Sequence, residues 1–172
     1  MLPLGEKTIT KAQYGKILSK FYGFFSPLEE NLKHISTFDQ YLPDFPERRK
    51  AHLLLEDLQH LALYDQNIPL CNNLPEVHNL SQAFGCLYVM EGSTLGGQFI
   101  SRVVKSKLEI PTDKGTTFFG GYGKETGKKW KIFQQALESY AGSLSSSEEA
   151  KIIESANETF VKFENWLNKG NS

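Results

Sequence analysis

The sequence predicts an all-α protein, a bundle of about five or six helices. Three observations carry that expectation. Apolar residues recur at three- and four-residue spacing in several separate segments, capping patterns precede two of these, and no segment shows sustained alternation with hairpin turns. No internal repeat is visible, and nothing suggests a βαβ architecture.

Taken in order, Thr10 followed by Gln13 is a capping box, after which Tyr14, Ile17, Leu18, Phe21, Phe25, Leu28 and Leu32 trace a first long helix, bent near Pro27. Asp44 and Pro46 suit the start of a second helix, with Ala51, Leu54, Leu55, Leu58, Leu61 and Ala62 as its apolar stripe and an end near Tyr64. Pro69, Pro75 and several Asn residues make 65–79 a connecting loop. Ser81 is the expected cap of a third helix over 82–107, stopped by Pro111. A glycine-rich segment, 115–127, reads as a ligand-facing loop before a helix with Trp130, Phe133, Leu137 and Tyr140 on one face and Gly142 as its stop. Ser146 with Glu149 is a second capping box, opening a final helix whose stripe is Ile152, Ile153, Ala156, Phe160, Phe163 and Leu167.

With 172 residues, 40% hydrophobic and 12% aromatic, the chain can bury a core as a single domain over 1–172 without disulfides or structural metal. Charge is nearly balanced, 19 basic against 20 acidic, so no global field draws the chain to nucleic acid. Cys71 and Cys86 lack metal-ligand spacing and read as reduced thiols. No apolar run reaches the roughly 18 residues of a membrane span, and residues 1–10 lack the features of a secretory signal. These features point to a cytoplasmic protein.

The third helix holds the most informative residues. Gly85, Gly92, Gly96 and Gly97 each cost roughly 0.5 to 1 kcal/mol relative to Ala in a helix interior, so something must offset them. Their spacing places Gly85, Gly92 and Gly96 on one face, a strip of bare backbone that a flat partner could approach. The same strip also suits close packing of another helix, and glycine spacing alone does not choose.

The whole run Tyr88-Val-Met-Glu-Gly-Ser-Thr-Leu-Gly-Gly-Gln-Phe-Ile100 resembles the distal helix of the short bacterial, biliverdin-producing heme oxygenases, whose glycines let that helix flex over heme. Residues 14–29, 48–58 and 118–133 are similar to the corresponding family segments in the same order, so the likeness spans nearly the whole chain. It implies a heme oxygenase-like bundle that holds heme between a proximal and a distal helix. With molecular oxygen and an external electron donor, such a protein cleaves heme to biliverdin, carbon monoxide and ferrous iron. The oxidant forms on the cofactor itself, which explains a site built of Gly, Ser and Thr rather than of ionisable groups.

By motif position the resemblance puts Gly92, Ser93, Thr94 and Gly96 at the reacting face, with Ser93 or Thr94 near a proton-delivering water. For both hydroxyls the plainer reading is back-bonding within the helix. Gly85, Tyr88, Gly97, Phe118, Tyr122 and Lys129 are the expected cofactor contacts, with Lys129 drawn from the cluster Lys124, Lys128, Lys129 and Lys131 that could meet heme propionates. The implied partners are heme and an electron-donor protein or reductant, with no nucleic acid and no membrane, in a monomer or homodimer.

The sequence departs from the family pattern at the iron ligand. The family's ligating histidine sits on a first helix that ends just before a stretch resembling residues 2–4, and here no histidine precedes His34. His34, His52, His60 and His78 fall in segments that do not match the proximal position, so the metal ligand is unassigned. A first helix upstream of Met1, an internal histidine in its place, or a protein without turnover would each account for this. Without that helix the apolar face of the distal helix is open, which implies dimerisation or an omitted segment. Two rival functions remain: a di-iron carboxylate oxidase, suggested by Asp57 with His60 and Glu30 with His34, and a non-catalytic heme oxygenase-like partner protein.

Overall fold

The structure, a computed structural model, describes residues 9–35, 37–48, 50–110 and 114–169. Among them it contains six α-helices: α1 Lys11–Lys33, α2 His52–His60, α3 Leu80–Leu108, α4 Thr117–Gly120, α5 Thr126–Ala141 and α6 Ser146–Asn168. This is the all-α fold that the periodicity predicts, with none of the described residues in a strand.

The predicted capping box opens α1: the Thr10 hydroxyl accepts from the Gln13 N–H at 3.2 Å, and the Gln13 side chain accepts from the Thr10 N–H at 2.7 Å. The helix buries Tyr14, Leu18, Phe21, Phe25 and Leu28, and it runs unbroken through Pro27. Proline removes the N–H that would bond to Gly23, four residues earlier. That carbonyl accepts instead from the main-chain N–H of Cys71 at 2.7 Å, so the 65–79 loop completes the helix.

The second helix starts later than expected. Phe45–Glu47 is only a turn of 3-10 helix, Arg48 is extended (ψ 157°), and α2 begins at His52. Asp44 makes no capping bond because its carboxylate is turned to Arg48 and Lys129. The helix also ends early, at His60, with Ala62 in the left-handed region at φ 54°.

Asn79, and not Ser81, caps α3, its side chain accepting from the Gln82 N–H at 3.0 Å; the Ser81 hydroxyl bonds that of Tyr140 at 2.9 Å. Glu109, left-handed at φ 53°, ends the helix, and Pro111 lies outside the described residues. The box on α6 sits one residue earlier than predicted, joining Ser145 and Glu148. Of the predicted α6 stripe Ile152 is buried, but Ile153 and Phe160 are exposed, because the face packed on α3 runs through Ser155 and Thr159.

A cluster of aromatic rings holds the bundle together. Phe21 of α1 lies 5.0 Å from both Phe119 and Phe163, and Phe25 lies 5.9 Å from Phe118. The start of the glycine-rich 115–127 segment is anchored by Asp57. One carboxylate oxygen of Asp57 accepts from the N–H groups of Gly115 and Thr117, the other from that of Phe118, each at 2.9 Å. No described helix is long and apolar enough to cross a membrane.

Candidate functional site

Helix α3 is held along its length by different neighbours, and this decides which of its glycines stay open. Gly85 faces α6, where an added Cβ would stand 2.5 Å from the Ile152 carbonyl oxygen. Gly97 faces α4, with the Phe119 carbonyl oxygen 2.6 Å from the same point. At Gly92 an added Cβ would meet the edge of the Trp130 ring at 3.7 Å, and at Gly96 it would meet nothing within 4 Å. The expectation of one continuous bare strip is thereby corrected. The face exists, but α6 crosses its first turn and it opens only from Gly92 onward.

Around the open turn stand three outward apolar side chains, Tyr88 (40% exposed), Leu95 (49%) and Phe99 (63%). Offsets of four, three, one and three through Tyr88, Gly92, Leu95, Gly96 and Phe99 put them on one face of the helix. The Tyr88 ring lies 5.5 Å from Trp130, which in turn stacks on Phe133 at 5.5 Å. Leu95, Phe99 and Trp130 are absent from the sequence-derived site. Leu95 and Phe99 were detectable as apolar residues in helical phase with the glycines, whereas Trp130 reads only as part of the α5 stripe.

The two hydroxyls are back-bonded, as the plainer reading expects: Ser93 donates to the Met90 carbonyl at 2.7 Å and Thr94 to that of Glu91 at 2.6 Å. Thr94 is buried and Ser93 half-buried. The other predicted contacts are drawn elsewhere. Gly85 and Gly97 serve helix packing, and Phe118, 1% exposed, belongs to the core aromatic cluster. Tyr122 donates its phenol to Glu91 at 2.8 Å, and the Lys129 ammonium faces Asp44 at 2.7 Å instead of an open pocket edge. Lys128 is exposed and paired with Glu125 at 3.3 Å.

Behind the open turn lies a buried charged network that the sequence reading missed. Arg48 and Glu91 are 2% and 3% exposed and meet at 2.6 Å. Arg48 also donates to Asp44 at 3.0 Å and to the Lys129 carbonyl at 3.3 Å. Burial alone would raise the Asp44 carboxyl, but Lys129 and Arg48 outweigh it and hold it below the ordinary carboxylate range. Glu91 is the only acid in α3, and that isolation within an apolar run is the signal that could have found it.

The strip fits one face of a flat apolar ligand such as heme, because bare backbone at Gly96 permits close approach and Leu95 and Phe99 flank it. A cleft of about 540 Å³ on the α4 side of α3 is lined by Gln98, Ser101, Arg102, Lys105, Thr116 and the glycines Gly120, Gly121 and Gly123. His34, His52, His60 and His78 are all exposed, and His52 and His78 lie 3.8 and 3.6 Å from Glu56 and Glu76. The di-iron alternative loses its site. The Asp57 carboxylate is filled by backbone N–H groups, Glu30 pairs with Lys33, and no group of three or more potential ligands gathers among the described residues.

Comparison with known proteins bears on the family and the fold. The family model described as heme oxygenase matches residues 3–169. A crystal structure of the NO- and CO-bound heme oxygenase from Neisseria meningitidis aligns with a TM-score of 0.76 at 24% identity, covering 97% of this chain and 78% of that one. No curated protein matches the chain.

Proposed function

The chain belongs to the heme oxygenase family, and from that premise we propose that it binds heme on the open turn of α3 and cleaves it oxidatively. The products would be biliverdin, carbon monoxide and ferrous iron, with molecular oxygen as oxidant and electrons from an external donor. The observation that carries this reading is the bare Gly96 backbone between outward Leu95 and Phe99.

Bound heme supplies the oxygen chemistry through its iron and is itself the molecule cleaved. The chain's own residues supply position and exclusion. Gly92 and Gly96 let the helix backbone approach the ligand plane, where any side chain would hold it off. Leu95, Phe99 and Tyr88 remove water from its edges, which favours a single course of oxidation. Ser93, whose proton is held by the Met90 carbonyl, keeps lone pairs to accept from a water and hold its proton near the ligand. Thr94 turns its hydroxyl back onto the Glu91 carbonyl and leaves the ligand face to the glycines.

A non-catalytic reading, with the same strip taking heme without turnover, is favoured by one observation: His34, His52, His60 and His78 are all exposed. One experiment tests both. Hemin titrated into the full chain is expected to give a shifted Soret band that saturates near one equivalent, and reductant with oxygen is expected to convert it to biliverdin. Binding without conversion selects the non-catalytic reading, and no Soret shift removes both.

A further inference from the structure

We propose that the buried Arg48–Glu91 pair is a positioning device for the glycine turn of α3, setting where the bare backbone of Gly92 and Gly96 stands. Its relevance to heme rests on the function proposed above; its effect on the helix does not.

Helix α3 is anchored on both sides of the open turn. On the N-terminal side of the open turn, Glu91 is fixed by two bonds, one oxygen accepting from Arg48 at 2.6 Å and the other from the Tyr122 phenol at 2.8 Å. On the C-terminal side, Gly97 abuts the Phe119 carbonyl, Gln98 donates to the Thr126 hydroxyl at 2.9 Å and Ser101 to that of Thr116 at 3.0 Å. Between these anchors the turn over 92–96 has Trp130 beside Gly92, Gly121 near the buried Thr94, and open space at Gly96. Two glycines remove side-chain resistance to bending there, and the back-bonded hydroxyls of Ser93 and Thr94 weaken it further. A soft turn takes its position from its ends, and Glu91 is the end next to Gly92.

The chemistry of the pair fits positioning better than stability. Burying two charges costs about as much as their attraction returns, so an apolar pair of the same volume stabilises a fold as well. What the ion pair adds is direction. The planar guanidinium of Arg48 reaches Asp44, Glu91 and the Lys129 carbonyl at once, tying α3 to the 44–48 turn and to α5 in one rigid fork. Lys129 closes the network on Asp44 at 2.7 Å.

The test compares wild type with Glu91→Gln, Arg48→Lys and the apolar double variant Arg48→Met/Glu91→Met, reading amide hydrogen exchange in the heme-free full chain. Exchange over 92–96 is expected to quicken about tenfold or more, with amides of α1 and α6 changing less than about twofold. The double variant is expected to regain part of the thermal midpoint that the single variants lose, since it leaves neither charge buried alone, while exchange over 92–96 stays fast. Hemin-loaded variants should also show displaced visible bands. Equal quickening in every helix, no change over 92–96, or recovery of slow exchange in the double variant overturns the proposal. Tyr122→Phe removes one bond to Glu91 and leaves the pair; it gives the same readout, at smaller amplitude, should the other variants not fold. A wild type that binds no hemin sinks the heme reading alone, since exchange is measured without it.

Discussion

The main-chain N–H of Cys71 donates to the carbonyl of Gly23 over 2.7 Å, filling the acceptor that Pro27, four residues further on, leaves open in α1. The same glycine is a crossing point. A Cβ there would stand 2.3 Å from the Pro69 carbonyl oxygen and 2.8 Å from the Trp166 ring of α6. Helix, loop and C-terminal helix therefore close on one residue without a side chain.

Gly23→Ala is accordingly expected to destabilise the fold by about 1–3 kcal/mol or more, since the nearest obstacle is backbone and cannot rotate away. Chemical unfolding measures this directly. An unchanged midpoint would mean that the 65–79 loop does not dock on α1.

The glycines of α3 divide by what they face. Gly96→Ala meets nothing within 4 Å and is expected to stabilise the heme-free protein by about 0.5–1 kcal/mol. Gly85→Ala and Gly97→Ala run into the backbone of α6 and α4 and are expected to lose about 1–3 kcal/mol. Gly96→Leu should keep a helical protein while weakening hemin binding. If hemin affinity is unmoved by Gly96→Leu, the open turn is not the ligand face.

Asp57→Ala leaves the buried N–H groups of Gly115 and Phe118, and the half-buried one of Thr117, without this acceptor, at a cost of about 1–3 kcal/mol for each that water cannot reach. The segment over 114–120 should then lose protection in hydrogen exchange before the rest of the bundle. Asp57→Asn keeps one acceptor oxygen and should fall between the variant and wild type.

Much of this arrangement was legible in the sequence because it is local. The Thr10–Gln13 box, the apolar phase of α1 and the Trp130–Phe133 face of α5 are each written within a few residues. The α6 cap slipped by one because Ser145 with Glu148 and Ser146 with Glu149 fit the same pattern, and only geometry separates them. Asp44 was misread as a helix start because its partners, Arg48 and Lys129, lie four and 85 residues away. For the candidate site, glycine spacing identified the face of α3 and not its neighbours. Whether Gly85 meets α6 and Gly96 meets open space depends on where α6 crosses, which no short motif encodes.

Acid stability depends on Asp44, at the outer end of the Arg48–Glu91 network. Lys129 and Arg48 hold Asp44 below its ordinary value of 3.8 despite the opposing effect of burial. The unfolded chain therefore binds more protons than the folded one between the depressed value and 3.8, and stability rises with pH through that window. The contribution of Asp44 is complete above 3.8 and is lost as pH falls through the folded value. Asp57 acts with the opposite sign. Burial raises its carboxyl against the three N–H bonds, so its share of stability declines as pH climbs from 3.8 toward the raised value. The two slopes partly offset in wild type, which makes the difference from a variant the informative quantity. Asp44→Asn is expected to lose about 0.5–2 kcal/mol at neutral pH, through its bonds to Arg48 and Lys129. That gap should shrink as pH falls below about 4. Urea unfolding of both proteins from pH 7 down to about pH 3 reads the difference. A gap that stays constant across that range would show that Asp44 is not the proton-linked member of the network.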